Sequence, residues 1–158
     1  MDKNRTDLEL ITSLVDKDSR ILDVGCGNGE LLRSLKSKKN IIGQGLELKQ
    51  ERVNKCVSRG LSVIQGNADN DLSLYPDLSF DCVILSQTIQ ATNSPKNILK
   101  ELVRIGKKAI VSIPNFGYWQ VRLGFAAFGK MPITKKLSNN WYDTVSYTHL
   151  TLPTKRIV

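Results

Sequence analysis

Asp23-Val24-Gly25-Cys26-Gly27-Asn28-Gly29 is the stretch on which the fold of this 158-residue chain turns. Before it, Arg20 to Val24 is a short apolar run of the kind that forms a buried strand. After it, Glu30 to Lys38 carries Leu31, Leu32 and Leu35 on one helical face. The G-x-G-x-G spacing therefore falls where a strand turns into a helix. Glycine, lacking Cβ, lets the backbone come close to a ligand. The helix N-terminus beyond it offers N–H donors and the positive end of a dipole, which suits a carboxylate. Asp23, two residues before the first glycine, is placed to meet an ammonium group. A ligand end that carries both charges, as an amino acid does, satisfies both halves. The dinucleotide fingerprint G-x-G-x-x-G requires a glycine at position 30, where this chain has Glu30, a carboxylate that would repel a pyrophosphate.

Outward from this loop the pattern alternates. Residues 5–17 place Leu8, Ile11, Leu14 and Val15 at helical spacing. Ile41 to Leu48 reads as a second strand, and Gln50 to Arg59 as a helix with Val53, Cys56 and Val57 inward, stopped by Gly60. Leu61 to Gln65 is the third strand, Asn67 to Leu78 a loop with a short turn, and Phe80 to Leu85 the fourth strand. Ser94 is expected to cap a helix that Pro95 opens and Gly106 ends, and Ala109 to Ile113 is the fifth strand. The spacings are too long for hairpins and the strands are nearly all apolar. Both features predict a doubly wound, mostly parallel α/β sheet covered on both faces.

Further candidate residues fall at strand exits, where open α/β sheets bind ligands. Glu47 ends strand two, eighteen residues past Gly29, where a carboxylate can take both hydroxyls of a ribose. Gln65-Gly66-Asn67-Ala68-Asp69 follows strand three, and Ser86 and Gln87 leave strand four toward the ligand's amino-acid end or a second substrate. Asp81 is read as an anchor of the strand start.

Composition bounds the alternatives. Hydrophobic residues at 41% and charged residues at 24% are ordinary for a globular domain. No run approaches the ~18 apolar residues of a membrane span, and the N-terminus has no apolar signal core, so the expected compartment is the cytoplasm. Cys26, Cys56 and Cys82 form no C-x-x-C pair and read as reduced residues, with no metal site expected. The formal charge of +8 comes from scattered lysines and arginines without a nucleic-acid reading motif, so a solvated basic surface is expected. Residues 116–128 are apolar all round, which implies further chain or a partner over them. The stretch 145–158 (VSYTHLTLPTKRIV) holds no acidic residue and the chain's one histidine; it resembles a translated sequencing adapter and is set apart from a domain spanning 1–144.

With these residues in hand, the chain resembles the methionine biosynthesis protein MetW family of class I S-adenosylmethionine (SAM) dependent methyltransferase-like proteins. The resemblance runs from about Asp7 to Thr144. It rests on ILDVGCGNGELL (21–32), the stretches at 45–72 and 80–123, and the surroundings of Asn140 to Thr144; SQTIQAT and SIPNFGYWQVR carry most of its specificity. It implies a Rossmann-like class I methyltransferase fold whose last, C-terminal strands lie beyond this chain. It also implies a site for SAM or S-adenosylhomocysteine (SAH), and a homoserine O-acyltransferase as partner in methionine synthesis. In such folds the turn after strand three faces adenine through an acidic residue after the glycine. Here that position is Asn67, with Asp69 as a possible substitute. A stand-alone small-molecule methyltransferase is the alternative. No histidine outside 145–158 offers a general base, and no catalytic residue is assigned.

Overall fold

The computed structural model describes residues 6–86 and 88–113. In chain order these form α1 (Thr6–Leu14), β1 (Arg20–Val24), α2 (Glu30–Lys39), β2 (Ile42–Glu47), α3 (Gln50–Ser58), β3 (Ser62–Gln65), α4 (Ala68–Asp71), β4 (Phe80–Ser86), α5 (Pro95–Ile105) and β5 (Gly106–Ser112). The sheet order is β3-β2-β1-β4-β5, and every pairing among the described strands is parallel. The chain steps outward from β1 to β2 and β3, then returns to the other side of β1 for β4. That reversal, between β1 and β4, is the switch point at which a crevice opens beyond the strand ends.

Alternation along the strands divides the core in two. On one face Ile21, Ile84 and Ile110 pack with Ile11 and Val15 at the α1 end and with Leu32 and Leu35 of α2. On the other, Leu22, Val24, Val83 and Leu85 meet Leu72 together with Ile98, Leu102 and Ile105 of α5. Most of these side chains are fully buried, each contributing roughly 1.5–3 kcal/mol relative to exposure. The three cysteines are free and buried, and burial pushes the Cys82 thiol up to about 11.

Several expectations are corrected in detail. Gly106 ends α5 as its C-cap, as expected, but it is also the first residue of β5, extended at φ −110, three residues before the expected start at Ala109. Its need is for space, because a Cβ there would meet the Val83 side chain and the Lys108 carbonyl. Val57 is 56% exposed, so the buried face of α3 is carried by Val53 and Cys56 alone. β3 is an edge strand with most of its side chains at the surface, and so departs from the expected apolar strand covered on both sides. The segment from Asn67 to Leu78 contains α4 and a 3-10 turn at Leu72–Leu74, which buries Leu72. Ser94 precedes α5 but makes no side-chain cap.

Asp81 anchors the start of β4 as expected. Its carboxylate accepts from the Arg20 backbone N–H at 2.9 Å and pairs with Lys107 at 2.8 Å. These donors, the Arg20 amide first, hold its carboxyl below the ordinary value of 3.8. A depressed pKa stabilises the fold fully above the ordinary value, and that contribution disappears as pH falls through the depressed one. The stability gap between wild type and Asp81→Asn is therefore expected to be constant at neutral pH and to close only below about pH 3.8. Denaturant titrations at stepped pH measure it. A gap that closes between pH 5 and 7 contradicts the assignment.

Candidate functional site

The glycine loop leaves β1 at the switch point and is fastened to β2 before it reaches α2. The amides of Gly25 and Cys26 both donate to the Leu46 carbonyl, at 2.7 and 3.2 Å. Gly25, Gly27 and Gly29 all have positive φ, at 73, 59 and 75°, a region other residues occupy only with strain. Their surroundings differ. A Cβ on Gly25 would strike the Thr88 side chain, and one on Gly29 would press on Leu61 and the Cys56 sulfur. Only at Gly27 does the missing Cβ face open space. Gly25 and Gly29 thus lack a side chain for packing reasons of the fold itself, while at Gly27 no protein atom demands its absence. Gly29 is also the N-cap of α2 and, having no side chain, makes no side-chain cap bond.

Glu47 closes the loop from the β2 side. Its carboxylate accepts from the Gly27 amide at 2.8 Å and from the Lys49 amide at 3.1 Å, with the Arg52 guanidinium 3.8 Å away. At 5% exposure it is a buried charge held by two backbone donors. An ionised carboxylate accepts at about four lone-pair positions, so these contacts leave acceptor capacity for further hydroxyls. Asp23 is buried in β1, between Gly45 and Ile84 in register. Beneath the loop the Cys56 thiol donates to the Gly27 carbonyl at 3.4 Å, and burial raises its pKa.

The turn after β3 is brought to the same end of the sheet, since the Gly66 amide donates to the Glu47 carbonyl at 3.0 Å. The Asn67 side-chain oxygen accepts from the Asp69 amide and caps α4, while the Asp71 carboxylate holds the Asn67 amide at 2.7 Å. Asp69 turns away from this group. Its two oxygens accept from the backbone of Asn93 and Ser94 and from the Asn93 side chain, at 2.9–3.2 Å. The idea that Asp69 substitutes for an acidic residue at position 67 gives way for that reason: its lone pairs are directed at the entry to α5. Ala68 and Asp69 line a cavity between α4 and α5, and another depression lies at the opposite end of the sheet, by Ile42 and Gly60.

At the exit of β4, Ser86 pairs in register with Ser112, and its hydroxyl is buried with no hydrogen-bond partner among the described residues. Gln87 lies outside the described residues, as do the segments 116–128 and 145–158. The structure adds residues that the sequence did not single out. Thr88 packs on Gly25, and Arg52 faces Glu47 from the first turn of α3. Arg52 lies five residues past Glu47, a spacing that was visible in the sequence; the Thr88 contact joins positions 63 apart and left no local mark.

An acid-and-hydroxyl site of this kind fits a nucleoside with an amino-acid end. Two observations test the fit: the open space over Gly27, and the Ser86 hydroxyl at the β4 exit, which has no partner among the described residues. A family model described as methionine biosynthesis protein MetW matches residues 5–154. Over 147 residues the chain is 33% identical to the bifunctional methionine biosynthesis protein MetXA/MetW of Rhodopirellula baltica, covering 87% of this chain and 24% of that one. A SAM-dependent methyltransferase of Thermotoga maritima, described as a possible histamine N-methyltransferase, superposes with a TM-score of 0.64 at 28% identity. That match covers 77% of this chain and 56% of the other. A SAM-dependent methyltransferase from Archaeoglobus fulgidus shares the fold, with a TM-score of 0.60 at 19% identity over 82% of this chain and 64% of its own. The chain thus spans about a quarter of the length of that curated relative.

Proposed function

The chain belongs to the methionine biosynthesis protein MetW family, with a class I methyltransferase fold, and from that premise we propose that it binds SAM or SAH and acts beside a homoserine O-acyltransferase. The observation that carries the cofactor reading is the Glu47 carboxylate lying 2.8 Å from the amide of Gly27, the loop glycine that faces open space. Glu47 would take the ribose hydroxyls with its remaining lone pairs. Asp23 and the α2 N-terminus would orient the ammonium and carboxylate of the amino-acid end, with Ser86 and Gln87 beside them. Gly25 and Gly29 would shape the loop, and Asn67 and Ala68 would flank the adenine. SAM, when bound, supplies a methyl group on a positively charged sulfur. What these residues provide is orientation, the main requirement for in-line transfer of such a group.

The loop gives a direct test. Gly27→Ala places a methyl in the open space, so SAH affinity is expected to fall about tenfold for a folding cost of roughly 1–2 kcal/mol from the positive φ. Calorimetry with thermal melts separates the two effects. Unchanged affinity in a folded variant places the ligand elsewhere.

The partner reading is supported by the relative's name, which joins two methionine biosynthesis functions in one chain. Its test is co-expression with the acyltransferase of the same genome. Joint purification, with acyltransferase activity that depends on the pair, is the expected result. An acyltransferase fully active alone removes the accessory role. Transfer of labelled methyl from SAM to a metabolite in an extract would instead favour a stand-alone methyltransferase.

A further inference from the structure

The segment between β4 and α5 is tied at both ends to the two walls of the site. At its start Thr88 packs directly on Gly25 of the glycine loop, so closely that no Cβ fits between them. At its end the Asn93 amide, the Asn93 side chain and the Ser94 amide all converge on the carboxylate of Asp69, in the turn after β3. Between these anchors Ile89 and Thr92 are buried, and the Thr92 hydroxyl donates to the Ile89 carbonyl at 2.7 Å, which keeps the span compact. Charge-assisted bonds of the Asp69 kind are roughly twice as strong as neutral ones. Ser94 supplies no side-chain cap to α5, so Asp69 does the work of fastening that helix entry.

We infer that Asp69 is a positioning residue that couples the nucleoside-side turn at 66–71 to the segment 88–94, so that occupancy of the cofactor site sets the position of that segment. The inference rests on the cofactor reading above. The segment lies beyond the β4 exit, on the side where a second substrate or a partner would approach. Coupling of this sort is reciprocal: whatever orders 88–94 must tighten the cofactor, by the same factor that the cofactor orders 88–94.

The experiment combines SAH calorimetry with hydrogen exchange, using wild type, Asp69→Ala, the isosteric Asp69→Asn and Asn93→Ala. In wild type, SAH is expected to slow exchange at both 25–29 and 88–94. In Asp69→Ala the SAH dissociation constant rises about five- to tenfold, and protection by SAH persists at 25–29 but is lost at 88–94. Asp69→Asn, which keeps an acceptor without the charge, and Asn93→Ala, which removes one donor, fall between. Melting temperatures identify any variant that is merely unfolded, and the two milder changes then carry the comparison. Equal protection of 88–94 by SAH in wild type and the folded variants overturns the coupling while leaving the cofactor site intact. Wild type that fails to bind SAH overturns the cofactor reading and the coupling with it.

Discussion

Replacing Glu47 with alanine is expected to lower the affinity for SAH at least tenfold and to destabilise the chain by about 1.5–3 kcal/mol. Both effects come from one carboxylate. In the folded chain it satisfies the amides of Gly27 and Lys49 while buried at 5% exposure. Alanine leaves those two donors facing each other across a small void, and a buried donor without a partner costs more than the bond itself gained. The Arg52 contact, 3.8 Å long and on a half-exposed side chain, adds little. For the ligand, the loss is the acceptor of the ribose hydroxyls together with the brace that fixes Gly27. Glu47→Gln separates these roles. It keeps the volume and one acceptor but must point an NH2 group at one of the two amides, so its affinity is expected to lie between the others. Calorimetry on the three proteins, with melts alongside, measures the series. An alanine variant with wild-type affinity contradicts the placement of the ribose.

Leu22→Ala is expected to have the largest effect on stability alone, about 2–5 kcal/mol. Leu22 is fully buried at the centre of β1, between Gln44 of β2 and Val83 of β4 in register. It belongs to the cluster that joins the central strands to Leu72, Ile98 and Leu102. β1 is the middle one of the five described strands, so a cavity there has neighbours on both sides that are themselves paired and cannot collapse into it. In a domain of this size each 1 kcal/mol moves the melting temperature by roughly 4 °C, giving an expected fall of about 8–20 °C. Val57→Ala, at an exposed position, is the matching control and should change stability by less than about 0.5 kcal/mol. A Leu22→Ala protein as stable as that control would show that the core on this face is misplaced.

The layered sheet was legible in the sequence because its evidence is local. Apolar runs of four to seven residues, bounded by glycine turns and alternating with helical patterns, point to strands of a parallel sheet. The glycine loop and Glu47 were legible for the same reason: each lies at the end of a strand whose limits can be read from its neighbours. What could not be read was how polar groups pair across the fold. Asp69 reads in the sequence as a possible substitute for Asn67 at the adenine, but its partners, Asn93 and Ser94, stand more than twenty residues away in sequence. Likewise Ser94 has the residue type of a helix cap, yet its hydroxyl makes no cap bond and its amide is instead held by Asp69 from the turn after β3. Gly106 ends α5 as its residue type indicates, but the close approach to Val83 of β4 that also excludes a side chain there left no local mark. In each case residue type was informative and the partner was not.

The central claim, a SAM or SAH site between the glycine loop and the ends of β2 and β4, is tested most directly by amide NMR mapping with SAH. Titration is expected to shift the amides of residues 25–29, 47–49 and 66–68 together, with one dissociation constant, and to leave the Ile42–Gly60 depression unchanged. Shifts confined to that depression or to the cavity between α4 and α5, or none at millimolar SAH, would contradict it.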